Sequence, residues 1–490
     1  MSRQFFKNAA LLAATEVVVK LKPLIAIPLL TRHFGALNYG VWSQMSVMVT
    51  LMPLIILLGT DGAIIRYMPG TSVDAQKRFF SAWMVSLSVF TICVCIGIVL
   101  FKGEISLLCW GETGEYEKFI PILAAAILAG IELSALKTWF RVHNDAKTIS
   151  AFTILQATLG LVTILIILIK NEAVYQLVIY NIFADFLGIV WLVLKITRKW
   201  GWSMPDFSSI SVYLRFGLPV IPHGLAVWGL NYMDRFFLVK YSTMAEIGIY
   251  SVSYSIGFAI IQIFVQPVWA MYPNTASGLY NQEKHAELQR LFERSVSLIL
   301  VTAVPSIIIL YITGERILAI FTTREFIKGG PVIAVIAAGY LFHILGLYYE
   351  ISLWLINKQF WSSFSVVMAC VVNYFANILL IPRYSIIGAA IATAVAFCAQ
   401  MIISLSLAAC FTNIKTNFIF LAKIVVISII MGLAIRGVSM IVANSGLVSL
   451  LMIVMSGVVC SGILFWIFNV VDFKKAIYNL RRHILADKCL

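Results

Sequence analysis

Charge is scarce in this chain, and most of it is of one sign. Only 12% of the 490 residues are charged, with 36 Lys and Arg against 22 Asp and Glu, while 61% are hydrophobic. A soluble domain is about one quarter charged and must cover its surface with polar groups. The composition therefore excludes a soluble globular protein. The net charge of +14 lies mainly in short loops between apolar runs, so we assign it to membrane topology and expect no nucleic-acid partner.

The sequence also lacks the short motifs that carry enzyme chemistry. It contains no GxxxxGK[ST] phosphate loop, no HExxH zinc motif and no GxSxG nucleophile motif. The eight cysteines are scattered, mostly inside apolar runs, with neither a disulfide framework nor the spacing of zinc ligands. We therefore expect a protein that is not an enzyme and that uses no cofactor and no metal. Any energy it uses must come from a gradient, a partner or the concentration difference of its substrate.

Long apolar runs dominate what is present. A membrane-spanning helix needs about 20 mostly apolar residues. Fourteen runs meet that requirement, and they lie at 9–31, 38–60, 79–101, 119–140, 150–170, 174–196, 213–234, 247–269, 294–313, 331–356, 360–381, 386–410, 417–440 and 446–469. The sequence thus predicts an all-α polytopic membrane protein with about 14 transmembrane helices.

The connecting loops predict an orientation. Lys and Arg favour one set of short loops over the other by about two to one, and basic loops stay in the cytoplasm. An even number of spans then places both termini in the cytoplasm.

Two weak sequence echoes predict an internal repeat. Gly-Val-Trp-Ser at 40–43 and Gly-Ile-Tyr-Ser at 248–251 both open an apolar run, and Asn144 and Asn357 both precede a short polar stretch and a span. The nearly equal offsets indicate a duplicated unit of six helices, an arrangement common in transporters. Chance similarity at helix starts is the alternative.

The repeat predicts three parts of the chain. These are an N-lobe at 1–200, a C-lobe at 201–412, and two further helices with a cytoplasmic tail at 413–490.

Charges inside the first span are the clearest exception to its apolar character. Ionisable groups at membrane depth are costly and usually face a cavity or a partner. Glu16 and Lys20 are four residues apart and can pair on one helix face, whereas Lys22 lies on another face. The set is either a cationic wall for an anionic substrate or a neutralised pair beside a lysine that reaches the interface.

Other polar or helix-breaking residues are weaker candidates. The mid-span acids Glu132 and Asp185 could carry a coupling proton or bond to a neighbouring helix, and His343 and Glu350 could share one helix face. Pro219 and Pro222 interrupt the seventh span and make it the best hinge candidate. Charges at span ends, which are usually interfacial anchors, are Asp61, Arg66, Asp234 and Arg235.

An ordered set of short motifs resembles a known family. The chain reads PLLTRHFG at 28–35, NYGVWSQ at 38–44, FGLPVIP at 216–222, NYMDRFF at 231–237 and GAAIAT at 388–393. This pattern resembles Wzx-type O-antigen and polysaccharide flippases of the multidrug/oligosaccharidyl-lipid/polysaccharide exporter superfamily. The likeness extends over most of the chain; each motif is loose alone, and their order is what is specific.

The resemblance implies a mechanism and a setting. It implies two six-helix lobes with a cationic cavity, two extra C-terminal helices, and transfer of an undecaprenyl-diphosphate-linked oligosaccharide from the cytoplasmic to the periplasmic leaflet of a bacterial inner membrane. Lipopolysaccharide assembly, with a polysaccharide polymerase and a chain-length regulator as partners, would be the setting. By the same resemblance, Arg32, Arg66, Asp234 and Arg235 are expected near the path or its gates, with Lys20 and Lys22 supplying positive charge.

Three alternatives remain open at the level of sequence. A cation-coupled multidrug exporter of the same superfamily should have an acid-dominated N-lobe cavity, which two lysines in the first span disfavour. A membrane-embedded polysaccharide polymerase or ligase usually needs a large external loop, whereas the longest one here, 102–118, is short. A purely structural membrane scaffold would leave the mid-span charges without a reason.

Overall fold

The fold is a set of α-helices. The computed structural model describes residues 3–415, 417–442 and 446–468, and within them it leaves the side chains of 3–14, 16–21, 24 and 418 undescribed. The helices are α1 (Arg3–Ile56), α2 (Thr60–Tyr67), α3 (Val73–Leu100), α4 (Lys102–Trp110), α5 (Ile120–Val142), α6 (Ala146–Lys170), α7 (Val174–Lys199), α8 (Ile210–Gly217), α9 (Ile221–Tyr241), α10 (Met244–Trp269), α11 (Tyr272–Asn281), α12 (His285–Phe321), α13 (Gly330–Leu355), α14 (Gln359–Phe411), α15 (Phe418–Ile441) and α16 (Leu447–Ile467). Short 3-10 turns lie at Glu115–Phe119, Leu218–Val220 and Arg324–Gly329. The predicted all-α class is confirmed.

Two of these helices are pairs of spans joined at a kink. α1 has 54 residues and α14 has 53. A straight helix of that length would measure about 80 Å, far more than the ~30 Å hydrocarbon core. Non-helical backbone divides α1 at Gly35 and α14 at Ser385. Among the described residues, twelve helical stretches are long and apolar enough to cross a membrane, and the kinks at Gly35 and Ser385 divide two of them, which agrees with the expectation of about fourteen spans.

A side-chain contact holds the second kink. Ser385 adopts φ 47°, a conformation that residues with a side chain rarely adopt. Its hydroxyl donates to Glu246 Oε2 at 2.9 Å, and the Ser242 hydroxyl donates to the same oxygen. Glu246, near the start of α10, therefore fixes the bend between the last two helices of the predicted repeat.

The echoes at Asn144 and Asn357 share a local conformation. Both residues have positive φ, 51° and 59°, and each lies just before a long helix, α6 and α14 respectively. Asparagine tolerates this left-handed region better than most residues. Two short turns at these positions bend the chain in the same way, which supports the predicted repeat.

The chain divides into two compact units. Unit 1 comprises Met1–Val252 and Val366–Ala389, and unit 2 comprises Ser253–Ser365 and Ala390–Leu490. In unit 2 small residues let helices approach closely: a methyl group at Gly257 would lie 2.5 Å from the backbone oxygen of Ile333, and one at Gly339 would lie 3.0 Å from Ala394 Cα. Close packing at small residues is the usual way in which helices associate in lipid. The tail beyond residue 468 lies outside the described residues.

Candidate functional site

The two repeat motifs meet one another inside unit 1. A methyl group at Gly40 would lie 1.9 Å from the backbone oxygen of Met244, and one at Gly248 would lie 2.0 Å from that of Ala36. The hydroxyls of Ser43 and Ser251, 208 positions apart, bond at 2.7 Å. Gly40 and Gly248 therefore each contact the residue that lies four positions before the other glycine. This symmetric contact, which we call the glycine contact, brings the second half of α1 and the start of α10 into backbone contact.

A polar cluster lies elsewhere in unit 1. It consists of Lys22 on α1, Lys137 on α5, Gln156 on α6 and Asp185 on α7, and all four side chains are half-buried. Lys137 Nζ donates to Gln156 Oε1 at 3.3 Å, and Gln156 Nε2 donates to Asp185 Oδ1 at 2.8 Å. Asp185 interacts electrostatically with both lysines. Among these four described side chains, two lysines face one carboxylate, so the formal charge of the group, which we call the cationic cluster, is positive.

Gly160 leaves room for the ammonium of Lys22. A methyl group on Gly160 of α6 would lie 2.2 Å from Lys22 Nζ and 2.8 Å from its Cε. Asn181 Oδ1 lies beside the same position, at 3.9 Å from that methyl group. The missing side chain therefore lets the ammonium reach the polar groups of α6 and α7. The sequence predicts separate roles for Lys22 and Asp185, and the structure brings the two residues into one cluster.

Sequence reasoning missed Lys137 and Gln156. Lys137 lies near the cytoplasmic end of the predicted fourth span, 119–140, with Arg141 just beyond it, and a basic residue at such a position is usually assigned to the adjoining loop. In the structure α5 continues to Val142, and Lys137 is a half-buried residue of that helix. Gln156 gave no signal in the sequence, since a single amide in an apolar run is most often a contact between helices.

A buried charge pair lies on α9. Arg235 Nη1 bonds Asp234 Oδ1 at 3.1 Å, and only 5% and 1% of the two side chains is exposed. Tyr250 donates its hydroxyl to the other carboxylate oxygen, and Arg235 Nη1 also donates to the backbone oxygen of Asn231 at 2.8 Å. The guanidinium lies 5.1 Å from the ring of Tyr232. A buried pair with this many partners resists separation, because each charge alone would be strongly destabilised.

The remaining predicted residues are dispersed. Glu132 accepts a 2.6 Å hydrogen bond from Ser88, and Arg32 is exposed at its position on α1. Arg66 is exposed and its guanidinium lies 5.1 Å from the ring of Phe216. Asp61 lies in the first turn of α2, where a carboxylate favours the helix dipole. The side chains of Glu16 and Lys20 lie outside the described residues.

The α-helix of the seventh span changes to a short 3-10 turn at its first proline. α8 ends at Gly217, a 3-10 turn covers Leu218–Val220 with Pro219 inside it, and α9 then begins with Pro222 in its first turn. A methyl group on Gly217 would lie 2.2 Å from the backbone oxygen of Leu58. The break therefore packs against the turn before α2. Its role as a hinge stays a prediction.

The family of the chain follows from comparison with known proteins. A family of polysaccharide biosynthesis proteins matches residues 29–329, which is more than half of the chain. The chain belongs to this family. The matched segment contains the glycine contact, the Asp234–Arg235 pair and most of the cationic cluster.

Relatives and solved structures extend the match. A probable low-salt glycan biosynthesis flippase, Agl15 of Haloferax volcanii, is 20% identical over 87% of this chain and 88% of its own length. The Lsg locus putative protein 1 of Haemophilus influenzae is 25% identical over 66% of this chain and 78% of its own length. The fold is similar to that of the lipid II flippase MurJ in an inward closed conformation, with a TM-score of 0.78 at 14% identity over 93% of this chain and 98% of that one.

The fold is also similar to that of a multidrug transporter. An inward-facing multidrug-resistance transporter of the MATE family has a TM-score of 0.62 at 14% identity, over 80% of this chain and 93% of its own. The prediction of a polysaccharide-export family agrees with the family match, and the fold is one that solved flippases and multidrug transporters share. Those matched proteins whose names state an activity are flippases or transporters, not enzymes.

Proposed function

We propose that this protein is a flippase that carries an oligosaccharide linked to undecaprenyl diphosphate from the cytoplasmic to the periplasmic leaflet of a bacterial inner membrane. The observation that carries the proposal is the cationic cluster. Lys22 and Lys137 are half-buried on transmembrane helices, and Asp185 interacts electrostatically with both. A diphosphate is strongly anionic, and charges at membrane depth are otherwise costly. The cluster supplies the net positive charge that would offset this cost for the head group.

The glycine contact supports transport by alternating access. Backbones that touch without intervening side chains leave no passage, so the glycine contact closes one region of unit 1. In the same unit, the side chains of the cationic cluster are only half-buried, so polar groups remain between the helices there. The polyprenyl tail can stay in lipid while the head group crosses. The interrupted α8–α9 segment, with Pro219 and Pro222, is the proposed hinge.

The other predicted residues take roles in the same scheme. Lys20, Arg32, Arg66 and Arg235 are proposed to contact the anionic head group at successive stages. Acidic groups proposed to act in coupling or gating are Glu16, Asp61, Glu132, Asp185 and Asp234. Two lobes at 1–200 and 201–412, cytoplasmic termini, a role in O-antigen assembly, and a polymerase and chain-length regulator as partners belong to the same proposal.

Translocation by the purified protein tests the proposal. In liposomes loaded with an undecaprenyl-diphosphate-linked oligosaccharide, the protein should expose the sugar of the inner leaflet to an added lectin. Lys22→Ala and Lys137→Ala should each lower the initial rate about ten-fold, since each removes one of two cations facing the diphosphate.

Two further variants serve as controls for the two alanine variants. Lys22→Arg keeps the charge and should retain most of the rate. Lys170→Ala removes an exposed lysine at the end of α6 and should have no effect. Wild-type protein that leaves the inner-leaflet sugar protected would overturn the flippase function itself.

A further inference from the structure

A cavity of about 490 Å³ lies within unit 2, beside the end of α10, α11 and the end of α13. Three aromatic side chains line it: Trp269, Tyr280 and Trp354. Asn281 and Asn357 add amide groups to the same walls, and both are exposed. Trp354 has 48% of its surface exposed. The cavity therefore combines ring surfaces with amide donors and acceptors.

Glu350 forms part of the cavity wall and is held by four hydrogen bonds. Its Oε1 accepts from Ser365 at 3.0 Å, Gln400 Nε2 at 2.9 Å and Ser404 at 3.2 Å, whereas its Oε2 accepts from Ser362 at 2.9 Å. Each carboxylate oxygen has about two acceptor positions, and the Ser404 hydroxyl, the third donor near Oε1, also lies 3.1 Å from Ser365 Oγ and can bond there instead. Oε2 therefore keeps acceptor capacity, and the network on Oε1 fixes the orientation of the group.

His343 is tied to the same network. Gln400 uses its amide nitrogen on Glu350, so its Oε1 must accept from His343 Nδ1, which lies 2.8 Å away. The sequence predicted that His343 and Glu350 could share a helix face, and the structure joins them through Gln400. The buried donors and acceptors around Glu350 are thus organised before any ligand arrives, which lowers the cost of binding.

The combination of aromatic rings, amides and a carboxylate in this cavity fits a sugar ring. A pyranose has C–H bonds on its faces and hydroxyl groups on its rim. The faces of Trp and Tyr rings carry partial negative charge and attract such C–H groups, whereas amides and a carboxylate bond the hydroxyls. Ligand pockets of about 300–1,000 Å³ that combine aromatic walls with a few placed polar groups are the common form for small polar molecules.

We propose that this cavity binds sugar residues of the lipid-linked oligosaccharide. The inference rests on the proposed flippase function and adds a saccharide subsite in unit 2. By the predicted topology, the ends of α10 and α13 face the cytoplasm, the side from which the substrate would load. Anchoring at the membrane interface explains the exposed Trp354, but it gives no reason for a fixed carboxylate at the cavity wall.

Binding of two lipids to the purified full-length protein in nanodiscs tests the subsite. One probe is undecaprenyl diphosphate that carries the oligosaccharide, and the other is undecaprenyl diphosphate alone. Trp354→Ala should raise the Kd for the sugar-bearing lipid about ten-fold, because it removes the ring face on which the sugar would stack, and should leave the Kd for the bare lipid unchanged. Trp354→Phe should recover most of the loss.

A matched control and a second variant keep the test decisive. Trp466→Ala removes a tryptophan of α16 in the same unit that is 66% exposed, and it should change neither Kd. If Trp354→Ala cannot be purified, Asn281→Leu at the exposed rim gives the same contrast between the two lipids.

The possible results separate the two proposals. Equal shifts for both lipids, or no shift in any cavity variant, would overturn the saccharide subsite while leaving the flippase function intact. Wild-type protein that binds neither lipid would overturn the flippase function.

Discussion

The glycine contact and the cationic cluster differ in what fills the space between the helices. At the glycine contact, backbone oxygens lie where a methyl group of Gly40 or Gly248 would have to be, so the helices touch. At the cationic cluster, lysine and carboxylate side chains stay half-buried, and a glycine makes room for an ammonium rather than for another backbone. One region of unit 1 is closed and another keeps half-buried polar groups. The proposed transport cycle requires both properties, and it requires that regions exchange them.

Locking the glycine contact should have the largest effect. In a variant without the eight native cysteines, Ser43→Cys with Ser251→Cys places two thiols where two hydroxyls now lie 2.7 Å apart. Oxidation should form a disulfide and abolish translocation almost completely, and reduction should restore it. Sugar exposure in the liposome assay is the measurement.

The single-cysteine variants serve as controls for that lock. Each should translocate with or without oxidant, since neither can close an intramolecular bridge. Full activity of the oxidised double variant would show that the glycine contact need not open during transport.

Filling the gap beside Lys22 should have an intermediate effect. Gly160→Ala puts a methyl group 2.2 Å from the present ammonium position. The end of a lysine can move at little cost in packing, so the fold should persist while the cation leaves the cluster. We expect the Kd for bare undecaprenyl diphosphate to rise about five-fold, as for the partial loss of one charge-assisted hydrogen bond.

Gly130→Ala is the matched control for that change. It adds the same methyl group to α5 at a place with no atom within 4 Å, and it should bind as wild type does. Equal binding by Gly160→Ala and wild type would remove Lys22 from the head-group site.

Removing one hydroxyl at the glycine contact should have the smallest effect. Ser251→Ala breaks the bond to Ser43 but leaves the Gly40–Gly248 approach in place. A hydrogen bond between membrane helices contributes about 0.6 kcal/mol on average. The temperature of thermal unfolding in detergent should therefore fall only slightly. Ser46→Ala is the control, because that hydroxyl bonds the Trp42 backbone of its own helix. A loss of several kcal/mol would mean that the hydroxyls, rather than the backbone approach, hold the glycine contact.

Much of the fold could be predicted because lipid leaves few choices. A backbone without water must satisfy its own hydrogen bonds, so each apolar run of sufficient length becomes a helix. Even the kinks at Gly35 and Ser385 fall in the gaps between predicted spans. The candidate site was harder. Lys22 and Asp185 stood out as charges in apolar runs, whereas Lys137 lies near the end of the predicted fourth span, where a lysine is usually an interfacial anchor.

The sequence alone determined that this is a helical membrane protein of about fourteen spans with a repeated motif, because hydrophobic length and composition are local properties. It also singled out the lysines of the first span and the prolines of the seventh. Only the tertiary structure decided which residues meet. The two glycine motifs pack on each other, Lys22 shares Asp185 with Lys137, and Glu350 joins His343 through Gln400. Those partners are far apart in the chain. Their contact depends on how the helices pack, and helix packing cannot be inferred from any single run of residues.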